Sequence, residues 1–227
     1  MNKGLSLRLQ ACLDALYPLQ IVADIGTDHA YLPCVGILNN QLTKAIAVDI
    51  GVGPLERAMT TVKRYQLQDQ IELRMGSGLT VLSPEEVEGV VISGMGGKLI
   101  YSILEENVFL TKTFKRLVLQ PNIEAHLVRT WLANHQYKIT DERMILEDDK
   151  FYEIVVAELA SNPIAYTALD LQFGPILRQK SDEEIFIAKW QKNLIKIEQI
   201  ITQLPVNHPR IKNLTEYRQQ IKEVLNL

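Results

Sequence analysis

The chain has 227 residues, 47% hydrophobic and 22% charged, which leaves room for one domain of about 150 residues plus an appendage. No apolar stretch approaches the ~20 residues that span a bilayer, and Cys12 and Cys34, with no second Cys or His at ligand spacing, exclude a disulfide framework and supply no metal site. The formal net charge of −3 does not advertise a nucleic-acid binder, although residues 163–227 carry 9 Lys+Arg against 7 Asp+Glu and so permit a local basic face there.

In chain order, Leu5, Leu9, Cys12, Leu13 and Leu16 recur at helical spacing and predict a packing helix over residues 5–16. Arg8 lies off that stripe, either as a solvated charge or as a group that reaches a phosphate or carboxylate. Asp14 interrupts the apolar stretch and no small-residue cleavage site is evident, so a mature cytoplasmic chain is expected. Both cysteines read as buried small hydrophobes.

The run from Ile21 to Asp24 predicts a strand, Gly26 a sharp turn, and Thr27-Asp28-His29 the lead into a helix. Asp24 and Asp28 then point carboxylates at one crevice. A dinucleotide loop, G-x-G-x-x-G, offers bare N–H groups to a pyrophosphate; here only its first glycine is present, and Asp28 would repel a diphosphate. A ligand with a cationic end fits better, such as S-adenosylmethionine with its ammonium and sulfonium. The run resembles motif I of class I methyltransferases, with Asp28 and Ala30 in place of the second and third glycines. The alternative is the strand–turn–helix of any α/β protein.

Lys44 to Ile50 predicts the second strand. Its Asp49, 23 positions beyond Gly26, is placed either to accept ribose hydroxyls or to cap the next helix. Gly51, Gly53 and Pro54 open that helix, with Leu55, Ala58, Met59, Val62 and Tyr65 as its apolar face. Ile71–Met75 alternates as a third strand, and Gly76-Ser77-Gly78 beyond it is either an adenine-edge contact or a plain turn. Val87–Ile92 is a nearly continuous apolar run, as a strand covered on both faces requires. Ser93-Gly94-Met95-Gly96-Gly97 follows, either a close approach to a ligand or a loose loop before a helix starting near Lys98.

Arg116–Gln120 is a fifth strand, ending at Pro121-Asn122, and residues 124–134 form a helix burying Leu127, Val128, Trp131 and Leu132. Residues 137–146 and 151–159 flank a polar turn and predict an antiparallel hairpin. These segments predict an α/β fold with a seven-stranded doubly wound sheet over residues 1–162. Beyond Pro163 the pattern changes: Ile187, Trp190, Leu194, Ile197, Ile201 and Leu204 form an a/d seam, a Pro-containing turn stops it, and Ile211, Leu214, Ile221 and Leu225 resume it with Arg218 in an a slot. A helical coiled-coil hairpin is expected over residues 163–227. Trp190 belongs to its core, not to a base-stacking surface.

Asp-Ile-Gly-Thr-Asp-His-Ala-Tyr-Leu-Pro (24–33), Ala-Val-Asp-Ile (47–50), Gly-Ser-Gly-Leu (76–79), Ile-Ser-Gly-Met-Gly-Gly (92–97), Leu-Gln-Pro-Asn (119–122) and Lys-Phe-Tyr-Glu-Ile (150–154) occur in order. Together they resemble the bacterial TrmK family, which methylates N1 of adenosine 22 in tRNA with S-adenosylmethionine. The resemblance covers nearly the whole chain and implies a class I methyltransferase, Rossmann-like fold with a cofactor-binding domain over 1–162. It implies a cofactor pocket of Asp24, Gly26, Asp28 and His29, with Asp49 and Ile50 at the ribose and adenine. It places Gly76, Ser77 and Gly78 near the adenine, and Ser93, Gly94 and Met95 around the methionine end.

Nitrogen N1 has an in-plane lone pair and needs no prior deprotonation, unlike the exocyclic amine. Enzymes that act on that amine resemble one another in an (Asp/Asn)-Pro-Pro-(Tyr/Phe) motif, where this chain has Ser93-Gly94-Met95-Gly96. A paired target base must first be exposed. Tyr31 and Met95 are candidates to stack on it. His29 and Asn122 are candidate catalytic residues that contact the base or accept its proton, or else a turn histidine and a loop cap. Lys189, Lys192 and Lys196 share one helical face and are either an RNA grip or a solvated lysine face. The alternatives to a tRNA methyltransferase are action on another RNA site or a small molecule, and a non-catalytic nucleotide-binding fold whose arm recruits a protein. Two seams in one chain can satisfy each other, which favours a monomer.

Overall fold

The structure, a computed structural model, describes residues 4–162, 164–205 and 207–227; Pro163, the expected boundary, and Val206, within the expected Pro turn, lie outside the described residues. The chain divides into two compact units, Met1–Ala165 and Tyr166–Leu227.

The first unit is built on β1, Ile21–Ile25, whose last four residues are all buried. Such a strand must have neighbours on both edges and cover on both faces, and it has parallel partners on each side: β2 (Lys44–Asp49) and β4 (Gly89–Gly96). β3 (Ile71–Met75) continues the parallel sheet beyond β2, and β5 (Arg116–Ile123) beyond β4. The hairpin β6 (Tyr137–Glu147) and β7 (Lys150–Leu159) closes it antiparallel, giving the order β3-β2-β1-β4-β5-β7-β6. Asp148 and Asp149, both at positive φ, form the two-residue hairpin turn, whose left-handed backbone matches the twist of the strands it joins.

Helices α1 (Leu7–Ala15), α2 (Tyr31–Leu38), α3 (Val52–Arg64), α4 (Gly97–Glu106), the short α5 (Val108–Thr111) and α6 (Ala125–Asn134) cover the sheet. Ser6 caps α1 by accepting from the Leu9 N–H at 3.3 Å. The inner face of α3 is Ala58, Thr61 and Val62; Met59, expected on that face, is exposed. It lines a shallow apolar groove with Val52, Leu55, Leu73 and Met75, which the edge position of β3 leaves uncovered.

Two strands run further than expected. β4 continues through Ser93–Gly96 instead of ending in a loose loop, and β5 continues through Pro121–Ile123. Met95 pairs with Pro121 and Gly96 with Ile123, with one register shift at Gly94, between Ser93 and Met95, and a second between Met95 and Gly96. The glycines hid this extension, because they lower strand propensity while permitting the bulge that keeps the ladder going.

Inside this unit Arg129 of α6, fully buried, meets Glu142 of β6 at 2.7 Å and Glu153 of β7. The sequence offers Arg129 no visible reason to be buried; it faces inward because two acidic residues on the hairpin share its site.

The second unit starts with α7 (Ala168–Phe173), where Thr167 and Asp170 make a reciprocal capping box. A 3₁₀ turn over Leu177–Lys180 leads to α8 (Glu184–Gln203) and α9 (Arg210–Val224), which pack against each other. Trp190, Ile197 and Ile221 of the expected seam are buried. Phe173 lies edge-on to Trp190 at 4.7 Å, and Phe186 also packs on it. Two helices alone cannot cover an indole, so a third short helix, absent from the heptad pattern, completes this core.

Candidate active site

The carboxyl ends of β1 and β4, the turn after β1 and the starts of α1 and α2 converge on a cleft of about 280 Å³. Arg8, Asp24, Gly26, Asp28, His29, Tyr31, Ser93 and Gly94 line it, together with Leu9, Thr27 and Leu32. One cleft therefore joins residues 112 positions apart: Arg8 donates to the Gln120 Oε1 at 2.5 Å, and its guanidinium stands 5.4 Å over the Tyr152 ring.

Asp24 is the charge at the floor. It is 5% exposed, and its Oδ2 accepts from the Thr27 hydroxyl at 2.7 Å. Burial pushes its pKa up from 3.8 to about 6, against the Thr27 hydrogen bond that lowers it and with the nearby Asp49 charge adding to the rise. Among the described residues no cation is paired with it. Cys12 and Cys34 are also buried here, and desolvation raises both thiols to about 12, so they are inert fillers of the core.

The turn is fixed from both sides. The N–H groups of Gly26 and Thr27 both donate to the Val48 carbonyl, at 2.8 and 3.0 Å. Gly26 has φ +77, and a Cβ there would sit 2.2 Å from the Met95 Cε. The positive φ favours glycine here, and the absent Cβ lets the Met95 thioether lie against the turn. Asp28 and Ala30 also take left-handed φ values. The charge of Asp28 is offset by Arg57 of α3, whose Nε and Nη2 donate to Oδ1 at 2.9 and 2.5 Å. Repulsion of a diphosphate therefore falls mainly on Asp24, a correction to the expectation that Asp28 supplies it. His29 stacks on Tyr31 at 4.9 Å and 4°, with Nε2 3.6 Å from Asp28.

The other expected residues lie beside the cleft. Asp49 holds the Gly51 N–H through Oδ1 at 2.8 Å, and its carbonyl accepts from the Gly76 N–H at 3.0 Å. That bond brings the Gly76-Ser77-Gly78 turn next to the end of β2, with Ile50 exposed at the rim. Asn122 is exposed and its Nδ2 donates to the Gly94 carbonyl at 2.7 Å. Lys189, Lys192 and Lys196 belong to the second unit; Lys189 sits 4.7 Å over the Trp190 ring, and Lys192 and Lys196 are exposed. Arg57 had no place in the sequence analysis, and Gln120 of the Leu-Gln-Pro-Asn motif was given no role there. Each stands within an ordinary helix or strand run, and only the fold brings it to the cleft.

A sheet of order 3-2-1-4-5-7-6 with the last strand pair antiparallel, and a glycine turn plus acidic strand ends at the carboxyl edge, define a Rossmann-like methyltransferase of class I. The sequence profile of the tRNA (adenine(22)-N(1))-methyltransferase family, TrmK, matches residues 22–226. The chain belongs to that family. It is 37% identical over 232 residues to the tRNA (adenine(22)-N(1))-methyltransferase of Bacillus subtilis, across 98% of this chain and 97% of that one. Among solved structures it is similar to Streptococcus pneumoniae Sp1610 in complex with S-adenosyl-L-methionine, with TM-score 0.89, 35% identity, and 97% and 99% of the two chains covered. It is also similar to Mycoplasma capricolum TrmK in complex with S-adenosyl-homocysteine, with TM-score 0.90, 26% identity and 98% of each chain covered.

Proposed function

We propose that this chain methylates N1 of adenosine 22 in tRNA with S-adenosylmethionine, that the cleft around Asp24 receives the methyl donor, and that the unit beyond residue 165 grips the RNA. The observation that carries the cofactor assignment is Asp24: a buried carboxylate with no cationic partner among the described residues, beneath a glycine turn that a Cβ would fill. S-adenosylmethionine supplies a methyl group on a positively charged sulfur, together with an ammonium. Asp24 offers that positive charge a compensating anion, while a diphosphate would meet an uncompensated like charge.

In this reading Asp49 accepts the ribose hydroxyls through the oxygen not committed to Gly51, and the Gly76–Gly78 turn and Ile50 face the adenine. The stacked His29–Tyr31 pair presents an aromatic face at the cleft mouth for the extruded target base. His29, beside the Asp28 carboxylate, is placed to take up the proton from the exocyclic amine of the methylated adenine. Asn122 acts by holding Gly94. N1 attacks through its own lone pair, so the chain's contribution is chiefly alignment, worth roughly 7–11 kcal/mol in favourable cases. Lys189, Lys192 and Lys196 supply phosphate contacts, sequence-independent and salt-sensitive.

The test is methylation of unmodified tRNA with nucleoside analysis of the product, beside calorimetry with S-adenosylmethionine, NAD and ATP. N1-methyladenosine at position 22 and binding of the sulfonium compound alone are expected. Occupation of the cleft by NAD or ATP in preference would remove the cofactor assignment.

A further inference from the structure

Gln120 is fully buried within β5, and its side chain reaches Gly94 of the neighbouring strand both directly and through Asn122. Its Oε1 accepts the Gly94 N–H at 2.9 Å and Arg8 Nη1 at 2.5 Å. Its Nε2 donates to Asn122 Oδ1 at 3.3 Å, and Asn122 Nδ2 donates in turn to the Gly94 carbonyl at 2.7 Å. Two donors face Oε1, which fixes the sense of the amide. Gly94 is thus held on both sides of its Cα, by an acceptor at its N–H and a donor at its C=O. It is also the residue at which the β4–β5 register breaks, between the Ser93–Gln120 and Met95–Pro121 pairs, and its φ is +79. The ladder cannot hold a bulged residue by backbone bonds, so side chains replace them.

We propose that Gln120 is a positioning residue for methyl transfer: with Asn122 it staples the Gly94 bulge, and so fixes both the Met95 side chain over Gly26 and the Arg8 guanidinium at the cleft wall. The chemistry of the side chain explains the choice. An oxygen with two lone pairs serves two donors, while the amino group steers Asn122 so that its own amino end points at Gly94. A hydrocarbon of the same size would leave the Gly94 N–H and one Arg8 N–H, both in part-buried bonds, without this acceptor. A glutamate would keep both acceptor bonds but lose the donor that orients Asn122, and with it the hold on the Gly94 carbonyl. The consequence for the reaction rests on the methyltransferase reading; the staple itself does not.

The experiment uses the full-length chain and compares Gln120→Leu with Gln120→Glu. Amide hydrogen exchange of the ligand-free protein reads the staple directly. In Gln120→Leu the Gly94 amide should exchange about tenfold or more faster, the worth of one hydrogen bond to a buried group, while Val90 and Val91 amides keep their protection. Gln120→Glu should stay within about threefold of the parent at Gly94, because its oxygen still accepts. In steady-state methylation Gln120→Leu should lose at least about tenfold in kcat with KM for tRNA nearly unchanged, the mark of an interaction that aligns rather than binds. Unchanged Gly94 exchange in Gln120→Leu, or a Gln120→Glu protein as impaired as the leucine variant, overturns the proposal. Should Gln120→Leu fail to fold, Gln120→Met, which also removes the oxygen that accepts the Gly94 N–H, takes its place and must accelerate Gly94 exchange; if it does not, the staple is refuted. If the parent protein fails to methylate tRNA, the functional reading falls while the exchange data still decide the staple.

Discussion

Two groups of acidic residues in the first unit are treated in opposite ways. Glu142 and Glu153 are buried against Arg129, their charges answered inside the protein. Asp24 is buried about as deeply, but among the described residues its side chain meets a hydroxyl and no cation, and its pKa rises to about 6. Burial of a charge is tolerated when the fold supplies the counter-charge, as at Arg129. When the fold leaves it out, the charge stays costly until a ligand brings one. The difference separates the cluster that holds the hairpin to α6 from the carboxylate that, in the proposed function, meets the cationic ligand.

Removing the counter-charge is the harshest way to break this contrast. Arg129→Leu should destabilise the protein by about 3–5 kcal/mol, because two carboxylates stay buried without it. The triple change Arg129→Leu, Glu142→Leu and Glu153→Leu should recover most of that loss. Urea denaturation of the two variants measures both, and a single variant as stable as the parent would mean the triad is not a unit.

At the other cluster the sign reverses. Asp24→Asn should stabilise the ligand-free protein, by at most roughly 3 kcal/mol, since a rise from 3.8 to about 6 measures what ionisation costs in the fold. The same substitution should weaken S-adenosylmethionine binding. A loss of stability, or an unchanged Kd, would dissolve the distinction between the two clusters.

pH sharpens it without mutation. Because the folded pKa lies above the unfolded one, the stability linked to protonated Asp24 is fully present below about pH 4 and lost as pH rises through about 6. A cationic ligand prefers the ionised form, so its affinity should hold above pH 6.5 and fall by up to about tenfold per unit below 6. Titration calorimetry between pH 5 and 8 reads this, with Asp24→Asn as the flat control.

Asp49→Ala, half-exposed at the neighbouring strand end, should cost about 1–3 kcal/mol of S-adenosylmethionine affinity with little loss of fold stability. The smallest effect belongs to the second unit. Replacing Lys189, Lys192 or Lys196 singly by Gln should weaken tRNA binding by a similar factor for every tRNA and reduce the slope of log K against log salt by about one each. A slope unaltered by all three together would leave them as a solvated face.

Along one chain, period and turn chemistry determined a good deal. The apolar runs that became β1, β2 and β3, the Gly26 turn and the β6–β7 hairpin each follow from interactions within a few residues. So does the acidic end of β2, since Asp49 sits where its own strand stops. Heptad spacing likewise marked α8 and α9, but not Phe173, which reaches Trp190 from a separate helix. What only the tertiary structure decided is partnership at long range. It paired Arg57 with Asp28 and lodged Met95 on Gly26. It turned Ser93–Gly96 from an apparent loop into a stapled strand and brought Arg129 to two glutamates. Each depends on atoms distant in sequence that meet only when the sheet has formed, and local preference carries no record of them.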